Sequence, residues 1–188
     1  MKIIIRTHPK REQYLEYLTK NLPKETIFSD DTSEKGARAN FINALTLAEN
    51  DSCLHLEDDI LLTTDFLVKI NKIVNKYSNF VIQFFSQSNA DLVTGSRFDL
   101  GKNFLGCLCF YMPPRYSNML LDYYAGWKDK NKHIAGYDLW LADWLRSRNE
   151  IYYISVPSLV QHRIGESLIY KNKSQERQSK TFIDPIPN

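Results

Sequence analysis

A chain of 188 residues that is 43% hydrophobic and 13% aromatic can bury about two-thirds of its unfolded surface, so it needs no disulfide or metal staple to fold. Its formal net charge of +2 is too small to argue for a general polyanion binder, and any such partner must be held by a local patch, such as the basic residues that crowd near the C-terminus. Cys53, Cys107 and Cys109 are odd in number and lie inside apolar runs, and C-x-C alone lacks the second half of a zinc site, so buried reduced thiols are expected.

The opening KIIIRT is a short β-branched run ending at His8-Pro9, and KREQYLEYLTKNL then spaces Tyr14, Leu15, Leu18 and Leu22 as one apolar helical stripe. Three apolar residues before the chain turns polar are too few for a signal peptide or a spanning helix, which makes the cytoplasm the expected location. ETIFSDD predicts a second strand ending in Asp30-Asp31, and GARANFINALTLAEN a helix with Phe41, Ala44, Leu45 and Ala48 on one face. SCLHLEDDI predicts a third strand, TDFLVKINKIVNKY a third helix with Thr64 or Asp65 as N-cap, and NFVIQFFS a fourth strand. Strands alternating with helices specify a Rossmann-type α/β fold, a mostly parallel sheet with helices on both faces in a single compact domain.

From Gln87 the pattern loosens through QSNADLVTGSRFDLGKN; FLGCLCFYM then reads as a strand, and Pro113-Pro114 opens PRYSNMLLDYYAGW. GYDLWLADWLRSR returns to helix, with Tyr137, Trp140, Leu141, Trp144 and Leu145 on one stripe, where core packing is expected of both tryptophans. IYYISVPSLVQHRIG is expected to close the sheet. The polar stretch after it is expected to be loosely held or folded over the substrates.

In open α/β sheets ligands bind beyond the carboxyl ends of the strands, and there the third strand carries Glu57, Asp58 and Asp59 in a row. Three adjacent carboxylates repel one another unless a cation offsets them. Mg²⁺ and Mn²⁺ take one or two such carboxylates and complete their shell with substrate phosphates and water. The other reading is a solvated acidic turn capping the next helix, worth about 0.3–1 kcal/mol per carboxylate. His162, in VPSLVQHRIGES, follows an apolar strand and leads into Gly165 and Ser167, so it too belongs at a strand's carboxyl end. A lone histidine is more often a hydrogen-bonded surface or core residue; beside an acidic triplet it makes a mixed oxygen and nitrogen site suited to Mn²⁺.

An N-terminal half of alternating strands and helices ending in LEDD, with a late PSLVQH followed by GES, resembles the metal-dependent nucleotide-sugar glycosyltransferases of the GT-A fold. Those enzymes carry a D-x-D-type motif, E-D-D in some branches, and many complete the metal site with a C-terminal histidine. The resemblance runs from Lys2 to about Ser167 and is specific at HLEDDI and VPSLVQHRIG. It implies a GT-A-like domain over residues 1–170, with 1–86 as the nucleotide-binding half, 87–170 as the acceptor and catalytic half, and a polar tail over 171–188. By the same resemblance Asp59 is the carboxylate on the Mn²⁺ or Mg²⁺, Asp58 a partner of the donor ribose or the metal, His162 the closing ligand and Glu57 a supporting residue. The ends of the first two strands nominate Arg6, Thr7 and Asp30 or Asp31 for the nucleotide, and Arg38 for the base or phosphates, its other reading being an exposed helix arginine. A chain this short for the family implies oligomer contacts or a large acceptor to complete the acceptor side.

Sugar transfer develops positive charge on the ring while the diphosphate leaves, and an inverting route adds a carboxylate base for the acceptor hydroxyl. Asp138, in the first turn of the aromatic helix behind Gly136, is the candidate, because GT-A enzymes often place the base at the start of a late helix; its other reading is a plain first-turn acid. Asp143 sits about 140° around the same axis and cannot share that site. The implied reaction moves a sugar from a nucleotide-diphosphate donor, a UDP-sugar foremost, to a hydroxyl of a glycan, a lipid-linked glycan or modified DNA. The alternatives are a metal-dependent nucleotidyltransferase, disfavoured because RTHPKRE has no glycine for a phosphate loop, and a non-catalytic nucleotide-sugar-binding module. Lys128, Lys130, Lys132 and His133, with Lys171, Lys173, Arg177 and Lys180, read either as solvated loop charge or as the border of an anionic acceptor, such as a phosphate-bearing glycan or DNA with hydroxymethyl pyrimidines. The setting expected for such an enzyme is the cytoplasm of a bacterium or of an infected host cell.

Overall fold

The computed structural model describes residues 1–130, 136–165, 168, 177–183 and 185. β1 (Lys2–Thr7), α1 (Glu12–Asn21), β2 (Ile27–Asp30), α2 (Ala37–Ala48), β3 (Cys53–Glu57), β4 (Ile60–Leu62), α3 (Phe66–Tyr77) and β5 (Ile82–Gln83) make up the first half. α4 (Asp91–Thr94), β6 (Arg97–Leu100), β7 (Cys109–Met112), α5 (Tyr116–Gly126), α6 (Tyr137–Ser147), β8 (Ile151–Ile154) and β9 (Val160–His162) follow, with 3-10 turns at Pro9–Arg11 and Gly101–Asn103. The main sheet has the order β2-β1-β3-β7-β5-β8-β6. β1, β2, β3, β5 and β8 run one way, while β7 and β6 are antiparallel to their neighbours. The sheet is therefore mixed, with most strands aligned.

Alternation along the strands sorts their side chains onto two faces. On one face Ile5, Leu54, Leu56 and Tyr111 pack with Leu18 of α1 and Ile70 of α3. On the other, Phe110, Met112 and Tyr152 pack with Phe41 and Leu45 of α2, Leu120 of α5 and Trp140, Leu141 and Trp144 of α6. Helices thus cover both faces of one domain, and the two tryptophans are core residues. The three cysteines are buried and free, and burial pushes the Cys53 thiol up to about 12. Among the described residues no helix is long and apolar enough to cross a membrane.

Several elements depart from the sequence reading. The strand predicted through Asp58-Asp59 breaks there: β3 ends at Glu57, and Ile60–Leu62 form a separate strand. His162 does not close the main sheet, because β9 pairs antiparallel with β4 in a two-stranded ribbon, Ile60 opposite His162 and Leu62 opposite Val160. The fourth predicted strand shrinks to two residues; beyond it the Phe84 N–H still bonds the Cys109 carbonyl of β7, while the Phe84 carbonyl accepts from Leu159, outside β8. Asp65 does precede α3, but at φ 53° it is left-handed and its side chain caps nothing. The loosened stretch after Gln87 contains α4 and the edge strand β6, which pairs antiparallel with β8. Of the predicted tail, residues 171–176, 184 and 186–188 lie outside the described residues. Its described part lies against β9, where Gln178 Nε2 donates to the His162 carbonyl at 2.7 Å and Ser179 Oγ to Ser158 Oγ at 2.8 Å.

Candidate functional site

Because β1 and β3 run parallel with Arg6 opposite Glu57, their carboxyl ends deliver neighbouring side chains to the same edge of the sheet. A cleft of about 580 Å³ opens there. Its walls are Arg6, Thr7, His8 and Arg11 from β1 and the turn after it, the triplet Glu57-Asp58-Asp59, and Asp31, Gly36 and Asn40 around the start of α2. Gly106 and Cys107 before β7, Gly136, Tyr137 and Asp138 at the start of α6, and Arg177 complete it.

Each carboxylate of the triplet faces a basic side chain, and Asp58 and Asp59 share one. Glu57 Oε1 lies 3.4 Å from Arg6 Nη2 and accepts from the Tyr137 hydroxyl. Arg6 is 5% exposed; its guanidinium carbon is 5.1 Å from the Phe41 ring centre, 5.0 Å from Tyr137 and 5.7 Å from Phe110, and Nη2 also donates to the Cys107 carbonyl. Asp58 accepts from the His8 backbone N–H at 3.0 Å and from Arg11 Nη1 at 2.9 Å. Burial raises the Asp58 carboxyl to about 6, against the opposing pull of Arg11. Asp59 Oδ2 lies 2.6 Å from Arg11 Nη1 and 3.2 Å from His162 Nε2. Burial works to raise Asp59, but His162 and Arg11 outweigh it and hold the carboxyl low; burial works to lower His162, and Asp59 outweighs it in turn.

No protein-family model matches the chain, and no curated protein matches its sequence.

The β4–β9 ribbon brings Asp59 and His162 together as the sequence reading expected, by a route it did not foresee. His162 Nδ1 lies 2.6 Å from the Arg163 carbonyl, so that nitrogen carries the proton and Nε2 faces Asp59. Among the described residues, Asp59 Oδ1 is buried without a hydrogen-bond partner, and the one close polar neighbour of the equally buried His162 Nε2 is Asp59 Oδ2; each residue is 3% exposed. An oxygen and an imidazole nitrogen fit Mn²⁺. Among the described residues no group of three His, Cys, Asp or Glu side chains could hold a metal ion, so a cation here would take its other ligands from a bound substrate and water.

Asp138 lines the cleft in the first turn of α6, where Oδ1 accepts the Leu139 N–H at 3.0 Å and Oδ2 the Gly106 N–H at 3.4 Å. It is both a first-turn acid and a cleft residue. Asp31 lines the cleft while both its oxygens accept loop N–H groups, Lys35 and Gly36 at 2.8 Å each, so it also shapes the entry to α2. The Thr7 hydroxyl is buried and unpartnered, and its carbonyl accepts from Asn40 Nδ2 at 2.8 Å. Two nominated residues stand apart. Asp30 is exposed at the end of β2, and Arg38 donates to the Lys130 carbonyl with its guanidinium 5.9 Å from the Tyr124 ring centre; neither lines the cleft. Of the basic clusters, Arg177 borders the cleft and Lys180 is exposed, whereas Lys132, His133, Lys171 and Lys173 lie outside the described residues.

Sequence reasoning missed Arg11 and the hydroxyl of Tyr137. Arg11 reads as an ordinary helix-start base, though its place just past the carboxyl end of β1 is the signal that could have found it. Tyr137 reads as the first member of a core stripe, which it is; only the position at the helix start, next to the cleft, hints that its polar end reaches Glu57.

Proposed function

We propose that the protein is a metal-dependent glycosyltransferase that moves a sugar from a nucleotide-diphosphate donor, a UDP-sugar foremost, to an acceptor hydroxyl on a glycan, a lipid-linked glycan or modified DNA. One observation carries the reading: buried His162, far away in the chain, meets Asp59 at 3.2 Å, and Asp59, whose Oδ1 has no partner among the described residues, lines a cleft that also holds Asp138. The α/β sheet with the cleft at its strand ends and the GT-A-like LEDD and PSLVQH motifs support it.

Asp59 and His162 would hold Mn²⁺ or Mg²⁺, with Asp58 beside them. The ion would supply positive charge against the departing diphosphate. Asp138 would take the proton of the acceptor hydroxyl on a carboxylate oxygen; each oxygen accepts one backbone N–H, which orients the group and leaves lone pairs for the acceptor. Tyr137, bonded to Glu57, ties the first turn of α6 to β3 and so fixes where Asp138 stands. Arg6, boxed among rings, gives the cleft a rigid cationic floor.

Calorimetry of UDP binding with Mn²⁺ and with EDTA tests the metal site, and release of UDP from UDP-sugars tests turnover. Binding should strengthen at least several-fold with Mn²⁺, Asp59→Ala should abolish that gain, and Asp138→Asn should lower turnover about 10²–10⁴-fold while leaving donor affinity intact. Equal UDP affinity in EDTA removes the metal from the proposal, and turnover of Asp138→Asn within about threefold of the parent removes the base.

A further inference from the structure

We propose that Arg11 is a displaceable internal cation: it holds Asp58 and Asp59 in the donor-free protein, and when a divalent ion takes Asp59 its guanidinium moves onto the donor's diphosphate. The inference rests on the nucleotide-sugar reading of the cleft and adds to it a residue that no motif nominated.

A single nitrogen makes both contacts. Arg11 Nη1 lies 2.9 Å from Asp58 Oδ1 and 2.6 Å from Asp59 Oδ2, so it sits where a cation reaches both carboxylates at once. A divalent ion on Asp59 and a guanidinium on the same carboxylate repel each other, which weakens the hold of Arg11. Of the two arginines paired with the acidic triplet, Arg11 is the less tightly held. Arg6 is packed among Phe41, Phe110 and Tyr137 and tied to Glu57 and the Cys107 carbonyl, whereas Arg11 stands on a short 3-10 turn at the cleft wall, its side chain 15% exposed.

Asp58 and Asp59 keep other ties when Arg11 goes. The His8 N–H still holds Asp58 Oδ2, and His162 still faces Asp59. The second independent feature is a buried atom that the arginine does not satisfy, Asp59 Oδ1, on a carboxylate that also has His162 Nε2 at 3.2 Å from its other oxygen. A stronger cation would therefore find a carboxylate oxygen that the arginine leaves unused. An arginine released next to a bound diphosphate presents a planar fork matched to phosphate oxygens, so the charge it gives up on the carboxylates it recovers on the ligand.

The test is Mn²⁺ alone, titrated into donor-free protein and read by electron paramagnetic resonance, followed by UDP and uridine titrated at saturating Mn²⁺. Arg11→Gln should bind Mn²⁺ at least tenfold tighter than the parent, bind UDP at least tenfold more weakly, and bind uridine, which lacks phosphates, equally. Equal Mn²⁺ affinity in the two proteins overturns the displacement, and equal UDP affinity overturns the move to the diphosphate. Tighter Mn²⁺ binding without any UDP binding in either protein keeps the internal cation and sinks the nucleotide-sugar reading instead. Should Arg11→Gln fail to fold, Arg11→Lys decides: it keeps the charge but not the fork, so Mn²⁺ affinity should stay within about twofold of the parent while UDP affinity drops several-fold, and unchanged UDP affinity overturns the proposal.

Discussion

His55 lies on β3 and is completely buried, its ring stacked on Phe110 with centroids 4.9 Å apart and planes 15° off parallel. Neither ring nitrogen has a hydrogen-bond partner, and burial, reinforced by the charge of Arg6, holds its pKa well below the 6.5 of a free imidazole. The folded protein therefore keeps His55 neutral in a range where the unfolded chain protonates it. Stability contributed in this way is complete above pH 6.5 and is lost as pH falls below it, because the unfolded state then binds the extra proton. One proton corresponds to about 1.36 kcal/mol per pH unit, and integrating the unfolded-state titration from pH 7.5 to 5.5 gives a loss of about 1.4 kcal/mol. Asp58 and His162 also titrate between the two states, so the diagnostic quantity is a difference. Urea unfolding of the parent and of His55→Leu across this range should show the stability gap between them shifting by about 1.4 kcal/mol against the parent at the acid end. The packing lost in the variant cancels from that shift. A gap independent of pH would refute the claim that the core holds this imidazole uncharged.

Four further outcomes follow from particular contacts. Tyr137→Phe keeps the ring beside Arg6 but removes the donor to Glu57, and should lower stability by about 1.5–3 kcal/mol in urea unfolding; an unchanged midpoint would mean Arg6 alone satisfies Glu57. Gly101→Ala places a Cβ 2.4 Å from Leu145 Cβ and 2.7 Å from the Glu150 carbonyl oxygen, which as backbone cannot step aside, so a loss of about 1–3 kcal/mol and a lower Tm are expected, and an unchanged Tm contradicts this close approach. Cys53, Cys107 and Cys109, buried and held protonated, should resist Ellman's reagent in the native protein and all react in guanidinium; rapid native labelling of any one would contradict its burial. If the acceptor is anionic, binding to duplex DNA carrying hydroxymethyl pyrimidines should weaken with log salt by about 0.9 per phosphate contact, while a flat response together with transfer to a neutral sugar would refute that idea.

The parts of this architecture that follow from local pattern were open to reading in the sequence. Phe41, Ala44, Leu45 and Ala48 repeat at helical spacing and are all fully buried, as are Trp140 and Leu141 of the aromatic helix. In α1 the stripe is displaced: Tyr14 and Leu15 are half-buried and Tyr17 enters the core, its hydroxyl accepting the Leu62 N–H at 2.9 Å. What the sequence hid is whatever depends on distant pairing. Ile60–Leu62 is three residues long, too short to show a period, and becomes a strand only because Val160–His162 lies beside it. Arg97–Leu100 was likewise lost in a polar stretch, since four residues against β8 carry no signal of their own. The acidic triplet was legible as a charge problem and not as its solution: Glu57, Asp58 and Asp59 find Arg6, Arg11 and His162, basic side chains contributed from β1, from the turn that follows it and from β9.

The ribbon of β4 and β9 has one more implication, for the order of events as the chain is made. Asp59 emerges from the ribosome about 100 residues before His162, a matter of roughly 5–20 seconds at ordinary elongation rates. Until β9 arrives, Leu62 Thr63 and their neighbours have no opposite strand, and Asp59 has only Arg11 for company. The Arg163 N–H then closes onto the Asp59 carbonyl at 2.8 Å, in the same step that seats the histidine. A nascent or truncated chain can thus complete β1 through β3 and still lack the Asp59–His162 contact, which waits until β9 has docked.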